Sequence, residues 1–184
     1  MRNILERMNV FDIIDKYYLE GRLRDILLTH STSVAKKALE ICDNHPELNA
    51  DRQFVEEGAM LHDIGIFMTD AVGIECRGSQ PYLCHGYLGA NLMREEGYPR
   101  HALVCERHTG AGISKEDVET QHLPMPVNDY IPVSIEEQII CFADNFFSKT
   151  HLDREKTVEQ AHKSLEKYGD SGVKRFENWC KLFL

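Results

Sequence analysis

Apolar residues recur three or four positions apart in one segment of this chain after another, and they do not alternate as they would along a half-buried strand. Side chains at that spacing share one face of a helix, so the regular stretches must be helical and must bury that face. The first runs over 3–18, with Ile4, Leu5, Met8, Phe11, Ile14 and Tyr18 inward, and Gly21 breaks it. A long helix follows over 22–44. Leu23, Ile26, Leu27, Val34, Ala38 and Ile41 form its stripe, and His30 lies inside that stripe. His45 precedes Pro46, which pushes it out of the helical region and ends the element. The spacing predicts a third helix over 51–63, with Phe54, Val55, Ala59 and Leu61 inward and Gly65 as terminator.

Segment 66–84, with Gly73, Gly78 and Pro81, has no strong period and reads as a lid or binding loop. A fourth helix runs from His85 to Gly97, and Pro99 suits the first turn of a fifth that leads to His108. Ser114 with Asp117, Ser134 with Glu137, and Thr157 with Gln160 have the spacing of capping boxes. Pro124, Pro126 and Pro132 make an extended connection. The helix opened by Ser134 places Asp144 among Ile139, Ile140, Phe142, Ala143 and Phe146, where a carboxylate needs a partner. The last helix carries Val173, Phe176, Cys180 and Phe183. No repeat, low-complexity tract or linker divides the chain, so the expected architecture is all-α and one domain over 1–184.

Composition narrows the function. No apolar run approaches the roughly 20 residues that span a bilayer, and the N-terminus lacks a signal-peptide pattern. The expectation is a cytoplasmic protein with no membrane partner. Six scattered cysteines without a C-x-x-C pair read as reduced thiols, not as a disulfide framework or a zinc finger. A net charge of -9 repels phosphate backbones, so a nucleic acid polymer is not an expected partner. A small anionic substrate stays open, because a divalent cation in a cleft reverses the local potential.

The candidate chemistry starts at Ala59-Met60-Leu61-His62-Asp63-Ile64-Gly65-Ile66. An imidazole and a carboxylate are both good ligands for a borderline divalent cation, and burying them without a partner is costly. Alone, such a pair reads as a helix end with local hydrogen bonds. His30, His85, His108 and Asp144 change the weight, because helical bundles build metal centres from inward side chains of facing helices. The remaining histidines (His45, His101, His122, His151 and His162) read as surface residues. Phe142, Phe146, Phe147 and Trp179 read as core, not as a base-stacking platform.

The ordered set His30, His62-Asp63 and Asp144 resembles the signature of HD-domain metal-dependent phosphohydrolases, and His62-Asp63-Ile64-Gly65 matches the HDIG variant of that motif. The resemblance covers roughly residues 22–150, with 1–21 and 151–184 as flanking helices. Glu106-Arg107-His108-Thr109-Gly110-Ala111-Gly112 and Ala143-Asp144-Asn145 look like small HDIG proteins, and His108-Thr109-Gly110 is also similar to HD-type hydrolases of diadenosine tetraphosphate. Ile66 and Phe67 stand where the cyclic-di-GMP subgroup carries lysine, and its GYP motif is absent, so that substrate is disfavoured.

The resemblance implies an HD-like helical bundle with the metal site between core helices. It implies that His30, His62, Asp63 and Asp144 hold one ion, and that Asp63 bridges to a second held by His85 and His108. The ions would be divalent transition metals, two of them, from among iron, manganese, nickel, cobalt and zinc. A metal-activated hydroxide would then hydrolyse a phosphate mono- or diester of a nucleotide or other small phosphorylated metabolite. Asp63 counts as catalytic through its bridging role, and Arg107 and Lys149 are candidate phosphate contacts. The same ligand types serve mixed-valent di-iron oxygenases of this fold, which is the alternative. A metal-binding scaffold without turnover is a third reading, and a homodimer is compatible with all of them.

Overall fold

The computed structural model describes residues 8–184. Ile4 and Leu5 of the first expected helix lie outside them. The helices are α1 (Val10–Tyr17), α2 (Arg22–Asn44), α3 (Arg52–Leu61), α4 (His85–Glu95), α5 (Pro99–Arg107), α6 (Lys115–Thr120), α7 (Ile135–Asp144), α8 (Val158–Leu165) and α9 (Asp170–Phe183). Helix α2 packs on α3 and α7, α3 on α5 and α7, and α4 on α5. The all-helical expectation holds, with one addition. Segment 69–81 forms a small sheet of β1 (Thr69–Ala71), β2 (Cys76–Arg77) and β3 (Gln80–Pro81), in the order β2-β1-β3. Strands of two or three residues are too short to leave an alternating pattern in a sequence.

The helix starts follow local chemistry. Asn9, Asp51, Ser114, Ser134 and Thr157 each accept a backbone N–H of the first turn, satisfying donors that the helix leaves orphaned. Ser114–Asp117 and Thr157–Gln160 close full capping boxes. Ser134–Glu137 closes half of one. The Glu137 carboxylate accepts instead from Val133 N–H at 3.0 Å and from Arg107 at 3.0 Å. Pro99 occupies the first turn of α5, where a missing N–H costs nothing.

Two apolar cores share the long helix α2. Its first half, with Leu27, joins Ile14, Leu61, Ile64, Ile66, Met93 and Cys105. Its second half, with Val34, Ala38 and Ile41, joins Phe54, Val55, Ile139, Phe142, Phe176 and Trp179. Phe142 is fully buried, with its ring centroid 5.0–5.3 Å from those of Phe146, Phe176 and Phe183, so these aromatics are core. His30 falls on α2 between Leu27 of one core and Val34 of the other. A polar layer is therefore set between two apolar ones.

Candidate metal centre

Helix α3 stops at Leu61, and His62–Gly65 turns sharply, with Ile64 N–H donating to Leu61 O and Ile66 N–H to Asp63 O. Gly65 does not end the helix by the left-handed conformation expected of a terminator; its φ is -86°. Its role is close approach. A Cβ there would lie 2.3 Å from His85 O and 2.5 Å from Gly89 N, so only glycine lets the turn press against α4. Tyr18 fastens the same turn, donating from its hydroxyl to Ile64 O at 2.8 Å. The His62-Asp63 pair and His85 are thus brought together by backbone contact.

Three of the four histidines are oriented by one device. His62 Nδ1–H donates to Ala59 O at 2.6 Å, His85 Nδ1–H to Tyr82 O at 2.7 Å, and His108 Nδ1–H to Cys105 O at 2.7 Å. Each acceptor lies three residues back, in the last turn of α3 or α5 or at the start of the 82–84 turn. A carbonyl can only accept, so the tautomer is set and each Nε2 of a neutral ring presents a lone pair inward. His30, in mid-helix, has no such carbonyl, and its Nδ1 is buried without a partner.

The Nε2 atoms converge on Asp63, which is fully buried. Its Oδ2 lies 3.2 Å from His30 and 3.0 Å from His62, and its Oδ1 lies 3.3 Å from His85 and 3.4 Å from His108. Asp144 Oδ1 completes the first side, 2.9 Å from His30 and 3.5 Å from His62. Two groups result, His30–His62–Asp63–Asp144 and Asp63–His85–His108, with the donor atoms of each within 4.8 Å of one another. The six expected ligands come together, and Asp63 offers one oxygen to each side.

The geometry fits cations. Neither Asp63 oxygen has a hydrogen bond of regular geometry. His85 Nε2 and His108 Nε2 lie 2.9 Å apart with their other nitrogens committed as donors, so two neutral rings would oppose lone pairs across that gap. Four imidazoles and two carboxylates suit iron, manganese, cobalt, nickel or zinc. Burial opposes ionisation of both acids, yet His62 and Lys149 hold Asp63, and His30 and His62 hold Asp144, well below the usual carboxylate range. Burial alone would strip the His62 proton, but Asp63 and Asp144 outweigh it and raise that pKa to about 10. His85 goes the other way. Its burial outweighs the pull of Asp63, and with His108 and Lys149 beside it the pKa falls to about 3.

The two proposed phosphate contacts part company. Lys149 Nζ lies 2.6 Å from Asp63 Oδ2, so it is inside the cluster. Arg107 instead donates to Glu137 at 3.0 Å. Sequence reasoning passed over Tyr82, whose ring stacks on His85 with centroids 4.6 Å apart and lies 5.9 Å from Lys149 Nζ. Its position three residues before a candidate ligand histidine is the signal that could have found it. His101, read as a surface residue, is buried, pairs with Glu57 at 3.2 Å and meets the edge of Phe54. It stands on α5 facing α3, because the apolar stripe of α5 is wider than its few aliphatic residues suggest.

The profile of the HD domain family matches residues 27–148. A tRNA (cytidine(56)-2'-O)-methyltransferase of Picrophilus torridus is 36% identical over 150 residues, 81% of this chain and 38% of that protein. One of Thermoplasma volcanium is 34% identical over 167 residues, 90% of this chain and 43% of that protein. The chain thus spans about two fifths of the length of these relatives. An uncharacterized protein of Methanocaldococcus jannaschii is 34% identical over 153 residues, 81% of this chain and 83% of its own length. Among solved structures, the HD domain of the L. monocytogenes phosphodiesterase PgpH superposes with a TM-score of 0.52 at 17% identity, covering 94% of this chain and 95% of that one, a likeness of fold.

Proposed function

The chain belongs to the HD domain family, and from that premise we propose that it is a metal-dependent phosphohydrolase acting on a mono- or diester of a small phosphorylated metabolite. The observation that carries this reading is Asp63, one buried carboxylate with a separate oxygen for each of two groups of imidazoles. His30, His62, Asp63 and Asp144 would hold one ion, and Asp63, His85 and His108 the other. Divalent cations bound there would supply Lewis acidity toward phosphoryl oxygens and lower the pKa of a water to near neutrality.

The chain's own groups set the approach. His30, His62, Asp63, His85 and His108 are no more than 4% exposed as residues, while the side chains of Asp144 and Lys149 keep 16% and 12% exposure. Substrate therefore enters over Asp144 and Lys149, and the Lys149 ammonium is the first positive charge a phosphate meets. Burial raises the Tyr82 hydroxyl to about 12, so it stays protonated at neutral pH and can donate beside Lys149. The stacked Tyr82 ring also fixes the His85 plane. A net charge of -9 and a recessed cluster favour a small ligand over a nucleic acid polymer. The methyltransferase name belongs to proteins of which this chain spans about two fifths, so that activity is not carried over.

The test is release of product from mono-, di- and dinucleotides after chelation and reloading, inorganic phosphate from monoesters and a nucleotide from diesters. Manganese, cobalt or nickel should restore release that chelator abolishes; restoration by none refutes hydrolysis. Oxygen consumption without phosphate release, with an iron signal in electron paramagnetic resonance, would put a di-iron oxygenase in its place.

A further inference from the structure

Two short stretches beside the cluster hold each other. The first follows His108. Thr109 is buried, Gly110 takes a φ of +62°, and Gly112 N–H closes the turn on Thr109 O at 3.0 Å, so the chain reverses directly after α5. The second is the end of α7, where Asn145 follows Asp144. Asn145 is buried, and its Nδ2 donates to Gly110 O at 2.8 Å and to Cys141 O, one turn back on α7, at 2.8 Å. Both amide hydrogens are thereby used. Cys141 adds a weaker donor to the same turn, its Sγ lying 3.2 Å from His108 O and 3.3 Å from Gly110 O. The element that carries Asp144 is thus bonded to the one that carries His108, across 35 positions of sequence.

The two partners are not equally anchored. On α7, Ile139, Ile140, Phe142 and Ala143 are fully buried in the apolar core. The Asn145 backbone is held from both sides, its N–H by Phe142 O at 3.2 Å and its carbonyl by Lys156 Nζ at 3.0 Å. The later half of the turn has support of its own, since Arg175 of α9 donates to Ala111 O and Gly112 O. Between them, His108 to Gly110 offer their carbonyls to α7, and loss of those donors would be felt there more than in the core-packed helix. The bond from His108 Nδ1 to Cys105 O stays within the end of α5. It turns the ring but does not set the end of α5 against α7. Only a donor can serve at position 145, because a carboxylate there would set oxygen against two carbonyl oxygens.

We propose that Asn145 is a positioning residue for the second half of the centre: by holding Gly110 O it fixes the end of α5, and with it the His108 ring, against the end of α7. The assignment rests on the reading of two ion-holding groups. Its test isolates each group in the full chain. His30→Ala leaves Asp63, His85 and His108, and His108→Ala leaves His30, His62, Asp63 and Asp144. Manganese titrated by calorimetry into the chelator-stripped chains should bind about tenfold more weakly or worse when Asn145→Ala is added to His30→Ala. Added to His108→Ala, the same change should leave affinity nearly as it was. Cys141→Ala, which removes the weaker donor, should repeat the pattern at smaller amplitude. Equal weakening in both backgrounds would mean a general loosening and overturn the assignment, as would weakening in neither. A second readout needs no metal. In chelator, the magnetic resonance signals of the His108 ring should shift or broaden in Asn145→Ala while those of His30 stay in place. Unmoved His108 signals, or equal changes at both rings, overturn the positioning role. These signals decide alone if His30→Ala takes up no manganese. A selective change at His108 in a parent chain that binds no ion would uphold the role and refute the metal reading.

Discussion

Replacing Asp63 by asparagine removes one charge, with little change of shape, from the point where the two halves of the cluster meet. Asp63 faces the Lys149 ammonium at 2.6 Å and the His62 ring, protonated near neutrality, at 3.0 Å. Without its charge, two buried cations face Asp144 alone. Breaking a buried ion pair by removing one partner costs about 3–5 kcal/mol. Lys149 keeps 12% exposure and can turn outward, so the lower end, about 3 kcal/mol, applies. For a chain of this size each kcal/mol moves Tm by about 2–4 °C. Chelator-treated Asp63→Asn should therefore melt about 6–12 °C below the parent by calorimetry. Metal loss should be steeper. Removing an outer partner of a ligand typically costs 10–100-fold in affinity, and Asp63 serves both groups directly, so more than about 100-fold is expected. Melting curves in chelator and elemental analysis after reloading read the two effects separately. A variant that melts within about 2 °C of the parent and still takes up two ions would refute the shared-carboxylate argument.

His108→Ala leaves His30, His62, Asp63 and Asp144 intact, so elemental analysis should show one ion instead of two; an undiminished count removes His108 from the ligand set. Gly65→Ala forces a Cβ into the backbone of α4 at His85 and Gly89, and should lower Tm by several degrees and loosen the second ion more than the first. Equal loss of both would show that the turn does not position His85. Raising the pH from 6.5 to 10 removes the His62 proton. The stabilisation from its raised pKa is complete below 6.5 and lost through about 10, so the metal-free chain should become less stable over that window. Over the same window metal affinity should rise about tenfold per pH unit, because one proton no longer has to be displaced. Calorimetry in buffers of different ionisation enthalpy should count that single proton at neutral pH, and a count of zero would mean His62 binds already neutral.

Helical periodicity made the elements legible because each buries one face, and even the cap residues follow from that. The six candidate ligands were legible through ordered resemblance, since residues 30 and 144 are brought together by the packing of α2 on α7. The turn at Gly65 was misread because a helix terminator and a close-contact glycine look alike in sequence; only the neighbouring α4 backbone distinguishes them. His101 escaped because its partner Glu57 is 44 residues away and both are polar. The sheet at 69–81 escaped because pairing of two-residue strands is decided by tertiary contact.

Five of the six candidate ligand residues are sealed from solvent, and the sixth, Asp144, opens beside Lys149. The consequence is a matter of tempo. Ions bound there would leave and arrive past the Asp144 and Lys149 side chains, and where the movement of those side chains sets the pace, doubling a chelator's concentration would not double the rate at which it strips the protein. Inactivation by chelation would run on the protein's own clock, and warming would hasten it more than added reagent.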